Sequence, residues 1–122
     1  MAHSLVIEDD VEFRQMLVQM LEHDGHKVAT AGDGAEGLAS LPRIRPDLIL
    51  TDILMPKMDG VELITELSRQ SNGTPVIAMS GGRRSITSEF NLDSARLLGV
   101  KATLAKPFSR ADLRKTIEAA LV

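Results

Sequence analysis

The chain is 122 residues long, 43% hydrophobic and free of cysteine, which allows one domain with one sizeable core and excludes both a disulfide framework and a thiolate metal site. Its formal net charge of −3 is unevenly spread: residues 1–60 hold eleven acids against five bases and residues 81–122 four against eight, so the first half suits cations and the second suits anions or an acidic partner. Phe13, Phe90 and Phe108 are the only aromatic residues, too few for the stacking platforms of single-stranded nucleic-acid binders, and no apolar run approaches the ~18 residues of a membrane helix.

The opening "MAHSLVIEDD" reaches acids directly after a short apolar stretch, unlike a signal peptide. The expectation is a soluble, cytoplasmic protein, one unit over residues 1–122, with no nucleic-acid or membrane contact of its own. Residues 4–7 read as a first strand. From Val11 the apolar residues Phe13, Met16, Leu17, Met20 and Leu21 recur at helical spacing until Gly25, and "HDGH" closes that helix at the surface. His3, His23 and His26 are too scattered for an imidazole metal site. "HKVATA" reads as a second strand, and Asp33 caps a second helix that stops before Pro42, with Pro46 marking the next boundary. Leu48, Ile49 and Leu50 form the short apolar run of a buried parallel strand, the third. Asp59 caps a third helix through Val61, Leu63, Ile64 and Leu67, followed by the turn "SNGTP" and the strand "VIAMS". "LDSARLLG" is a fourth helix with a glycine stop, "VKATLA" a fifth strand, and "SRADLRKTIEAALV" a last helix opened by a Ser109/Asp112 capping box. There is no internal repeat, low-complexity tract or linker.

Strands alternating with helices five times imply parallel pairing with right-handed crossovers, a doubly wound α/β fold with helices on both faces of the sheet. All strand C-termini then share one edge, where ligands of open α/β sheets bind. Glu8, Asp9 and Asp10 follow the first strand, Asp52 the third, and Ser80 and Lys106 end the fourth and fifth. Each alone reads as a helix cap or a solvated charge; together they need a physical account. Two carboxylates ~4 Å apart repel by about 4 kcal/mol at an effective dielectric of ~20. Oxygen ligands without Cys or His select a hard cation, and few protein ligands suit a partly hydrated Mg²⁺.

"VIEDD", "LTDILMPKMDG", "VIAMSG" and "LAKPF", in this order and at these intervals, resemble the receiver domain of bacterial two-component response regulators over essentially the whole chain. The resemblance implies a flavodoxin-like five-stranded parallel sheet in the order 2-1-3-4-5 with five helices. It implies that Asp52 takes a phosphoryl group from a histidine kinase or a histidine phosphotransfer protein. Asp9 and Asp52 would ligate Mg²⁺ with the backbone carbonyl of Leu54, Glu8 would act mainly through a metal-bound water, and Ser80 and Lys106 would hold phosphoryl oxygens. The bond from Lys106 to Pro107 is usually cis in the family. The output would be an altered surface for a downstream protein partner, with no chemistry beyond self-phosphorylation and self-dephosphorylation.

The departures from that pattern are specific. Thr103 stands where receivers usually carry the Tyr or Phe that turns inward when Ser80 follows the phosphoryl group, so aromatic switching is not expected. "GGRRSITSEFN" after Ser80 is longer than usual, and reads either as a surface loop or as a lid and partner contact at residues 81–91. Leu54 and Gly82 replace polar groups near the attacking water. A phosphatase of the haloacid dehalogenase type would want Asp-x-Asp after the first strand, where the chain has Glu8-Asp9-Asp10. A receiver that binds partners without phosphorylation is opposed by the intact acids and Lys106, and a flavin binder by the absence of Trp and Tyr.

Overall fold

The computed structural model describes residues 2–53, 60–70, 73–81 and 99–122. Five strands, β1 (His3–Ile7), β2 (Lys27–Ala31), β3 (Leu48–Asp52), β4 (Val76–Gly81) and β5 (Ala102–Lys106), form one sheet in the order β2-β1-β3-β4-β5. Every pairing is parallel, with Ile7 opposite Thr51, Asp52 opposite Met79, and Gly81 opposite Lys106. Four helices are described: α1 (Val11–His23), α2 (Gly34–Ile44), α3 (Gly60–Gln70) and α4 (Arg110–Ala120). The sheet order is the expected one; the helix expected at "LDSARLLG" lies outside the described residues apart from Gly99, as does the Asp59 cap of α3. None of the described helices is long and apolar enough to cross a membrane.

Alternation along the strands sorts the core into two layers. On one face Val6, Leu48, Leu50, Ile77, Met79 and Leu104 pack with Leu17 and Leu21 of α1 and Leu113 and Ile117 of α4. On the other, Leu5, Ile7, Ile49 and Val76 pack with Leu41 of α2 and Leu63 and Leu67 of α3. The inner strand β3 is buried throughout, whereas β2 at the sheet edge is exposed at Lys27 and Thr30 and buried only at Ala31, which is why only the former reads as a continuous apolar run.

Caps fix where three helices begin. Asp10 Oδ1 accepts from the Phe13 amide at 3.1 Å, Asp33 Oδ1 from the Glu36 amide at 2.8 Å, and Ser109 Oγ from the Asp112 amide at 3.0 Å, the last completed as a capping box. Gly25 lies just past the α1 cap Asp24 with φ of 89°, a left-handed turn that glycine adopts without strain. One boundary differs from the sequence expectation: α2 does not stop before Pro42 but runs through it to Ile44. Pro42 sits in the last turn, where the missing N–H costs a single helical bond. The helix ends instead at Arg45, left-handed at φ 48°, whose amide returns to the Leu41 carbonyl at 2.9 Å.

Candidate functional site

The C-terminal ends of β1, β3, β4 and β5 meet at one edge, and the loop after β1 delivers its acids there. The Glu8 amide continues the ladder to the Ala31 carbonyl at 3.0 Å, and Arg14 Nη1 on α1 donates to the Glu8 carbonyl at 2.9 Å. The backbone of Glu8 is thus held from both sides while its side chain is fully buried. Oxygens of Glu8, Asp9 and Asp52 lie within 4.8 Å of one another. Asp52 is itself 5% exposed, placed by the last rung of β3 against Met79.

Lys106 answers this concentration of negative charge directly. Its Nζ donates to Glu8 Oε1 at 2.6 Å and to Asp52 Oδ2 at 2.8 Å, two charge-assisted bonds in a low-dielectric setting. The second Glu8 oxygen, Oε2, accepts from the Asp10 amide at 3.1 Å. Burial pushes the Glu8 carboxyl up to about 7, against the opposing pull of the Lys106 bond and with the Asp52 charge adding to the rise. Burial also works against the Lys106 ammonium, but its bonds to Asp52 and Glu8 outweigh it and hold the pKa above the usual lysine value. The ammonium stands over the Phe13 ring, 4.2 Å from its centroid, and that ring meets Phe108 edge to face at 5.7 Å.

Ser80, the penultimate residue of β4, lies one residue beyond the rung that places Asp52. It is fully buried, and its Oγ has no hydrogen-bond partner among the described residues, a state that costs ~1–3 kcal/mol unless an acceptor arrives. Thr103 is half-buried in β5 opposite Ala78. The peptide bond from Lys106 to Pro107 is cis. Leu54, Gly82 and the rest of the long segment after Gly81 lie outside the described residues. The sequence placed the acids and Lys106 at one edge, and there the structure brings Lys106 into contact with Glu8 and Asp52, with Asp9 alongside and Asp10 capping α1. It adds the direct bond from Lys106 to Glu8, the Arg14 anchor and the Phe13 face. Helical spacing marks Phe13 only as apolar, and an arginine that bonds a carbonyl leaves no signature in spacing.

The family model for the response regulator receiver domain matches residues 4–118. The chain belongs to this family. As a receiver it is 39% identical over 121 residues to the transcriptional regulatory protein PrrA of Mycobacterium tuberculosis, covering 96% of this chain and 48% of PrrA. It is 31% identical over 117 residues to the alkaline phosphatase synthesis transcriptional regulatory protein PhoP of Bacillus subtilis, covering 96% of this chain and 47% of PhoP. The receiver therefore spans about half the length of these curated relatives. Among solved structures, the chemotaxis protein CheY4 of Vibrio cholerae superposes with a TM-score of 0.87 at 33% identity, covering 99% of both chains. A response regulator receiver domain protein from Clostridium thermocellum gives 0.89 at 30% identity, covering 99% of this chain and 94% of the other.

Proposed function

We propose that residues 1–122 act as one phosphoacceptor unit in a two-component relay, with Asp52 accepting a phosphoryl group from a histidine kinase or histidine phosphotransfer protein. The observation that carries this reading is the Lys106 ammonium bonded at once to Asp52 and Glu8 beside Asp9. In the transfer an Asp52 carboxylate oxygen attacks phosphorus in line, the new O–P bond forms as the N–P bond breaks, and the electron pair remains on the departing imidazole nitrogen. Lys106 stays beside the oxygens on which charge accumulates. Ser80, buried with a hydroxyl that has no partner among the described residues, offers a donor to a phosphoryl oxygen. Return to the resting state is attack of water on the same phosphorus, which regenerates the carboxylate and releases inorganic phosphate.

The acid cluster fits a divalent cation. Its donors are carboxylate oxygens with no nitrogen or sulfur among them, close enough that an added cation would offset their mutual repulsion. Glu8, Asp9 and Asp52, with the Leu54 carbonyl implied by the family pattern, would hold Mg²⁺, which when bound neutralises charge on the transferring group. The reading extends to a cytoplasmic setting and to a protein partner that recognises the phosphorylated surface, with Thr103 on the strand of Lys106 as part of the switch. It is tested by intact mass after acetyl phosphate and Mg²⁺: the chain gains one phosphoryl group, Asp52→Asn gains none, and chelation of the metal abolishes the gain. Equal labelling of Asp52→Asn refutes the assignment.

A further inference from the structure

We infer that Phe13 is a positioning residue for the phosphoryl chemistry, holding the Lys106 ammonium beside Asp52 through the face of its ring. The inference rests on the receiver reading above. An ammonium has three donors; two are taken by Glu8 and Asp52, and the nitrogen stands over the Phe13 ring, 4.2 Å from its centroid, well within the ~6 Å reach of a cation–π contact. The ring is fixed from two directions. Its amide is the one capped by Asp10, so the loop that carries Glu8 and Asp9 also sets the ring. Its other contact is Phe108, two residues beyond Lys106, so the strand end that carries the ammonium braces the ring as well.

A ring differs from the alternatives in what it lets the ammonium do. A third carboxylate would bind the charge more strongly than Asp52 and draw it away. An aliphatic side chain would leave this side of the charge without electrostatic attraction. The π face attracts the cation without a directed bond, so the ammonium can pass from the carboxylate of Asp52 to the oxygens of a phosphoryl group on it while resting on the same surface. The competing account is that Phe13 only fills the layer of α1 and α4, against which it does pack.

Progressive fluorination separates the two, because it withdraws negative potential from the ring face while nearly preserving shape. Phe13 is replaced site-specifically by phenylalanines bearing one to three ring fluorines, and the rate constant for acetyl phosphate labelling at saturating Mg²⁺ is measured together with the melting temperature. The rate falls stepwise, by about three- to tenfold across the series, and the melting temperature drops only by the weakening of the resting contact. Phe13→Leu joins the slow end and Phe13→Tyr keeps the rate. The same fluorines at Phe108, which meets the Phe13 ring, leave the rate level. A level Phe13 series on a chain that labels overturns this inference alone, as does an equal fall from Phe108, which would mark a packing effect. Absence of labelling in the unsubstituted chain overturns the receiver reading and this inference with it.

Discussion

Glu8 is the residue whose protonation most directly reports the state of the site. Its folded pKa of about 7 stands above the ordinary 4.5, so between these values the folded chain binds the proton that the unfolded chain has released. Without metal, stability is highest where both states are protonated and falls as pH rises from about 4.5 through 7; the loss attributable to this group is of order 3 kcal/mol. Urea unfolding in chelator across that window will show the decline. Glu8→Gln removes it, and Mg²⁺, which favours the ionised acids, flattens it. A metal-free stability that rises over the same window would contradict the burial argument. Lys106 is the complementary case. Lys106→Met leaves Glu8 and Asp52 buried with their mutual repulsion, so metal-free stability drops by ~3–5 kcal/mol while Mg²⁺ affinity, read by calorimetry, rises.

Single contacts between elements position the site as much as its own residues do. Gly37 of α2 lies against β1 so closely that an added Cβ would stand 2.5 Å from Cδ1 and 2.8 Å from Cγ1 of Ile7. Ile7 is fully buried and directly precedes Glu8, so Gly37→Ala is expected to cost ~1–3 kcal/mol and to slow phosphorylation through a displaced β1 end. Ser109→Ala removes half of the α4 capping box and is expected to cost about 1 kcal/mol with the labelling rate unchanged; chemical denaturation and labelling kinetics together check both. The elements were legible in sequence where a cap and an apolar stripe coincide, as at Asp10 to Leu21 and Ser109 to Ala120. The end of α2 was not, because proline is read as a stop, whereas Pro42 gives up one helical N–H and the helix still continues to Ile44. The acids and Lys106 were legible because parallel topology sends every strand end to one edge. Phe13 was not, because its meaning lies in a lysine that only the completed sheet brings alongside.

For the molecule as a whole, metal binding and folding are one equilibrium. On the proposed function, Mg²⁺ held by the folded acids would add RT ln(1 + [L]/Kd) to stability, about 1.4 kcal/mol at ten times Kd, so the melting temperature is expected to rise with Mg²⁺ and Asp9→Asn to lose that rise. In the proposed reading the same edge would then accept a phosphoryl group, adding up to about two negative charges beside Lys106 and altering the surface offered to a partner. The account depends on where that group lands. Borohydride reduction of the phosphorylated chain converts an acyl phosphate to an alcohol, turning the modified aspartate into homoserine, and peptide mass mapping locates it. The prediction is homoserine at position 52 and nowhere else; homoserine at another acid, or phosphate that survives acid on a serine or threonine, would contradict it.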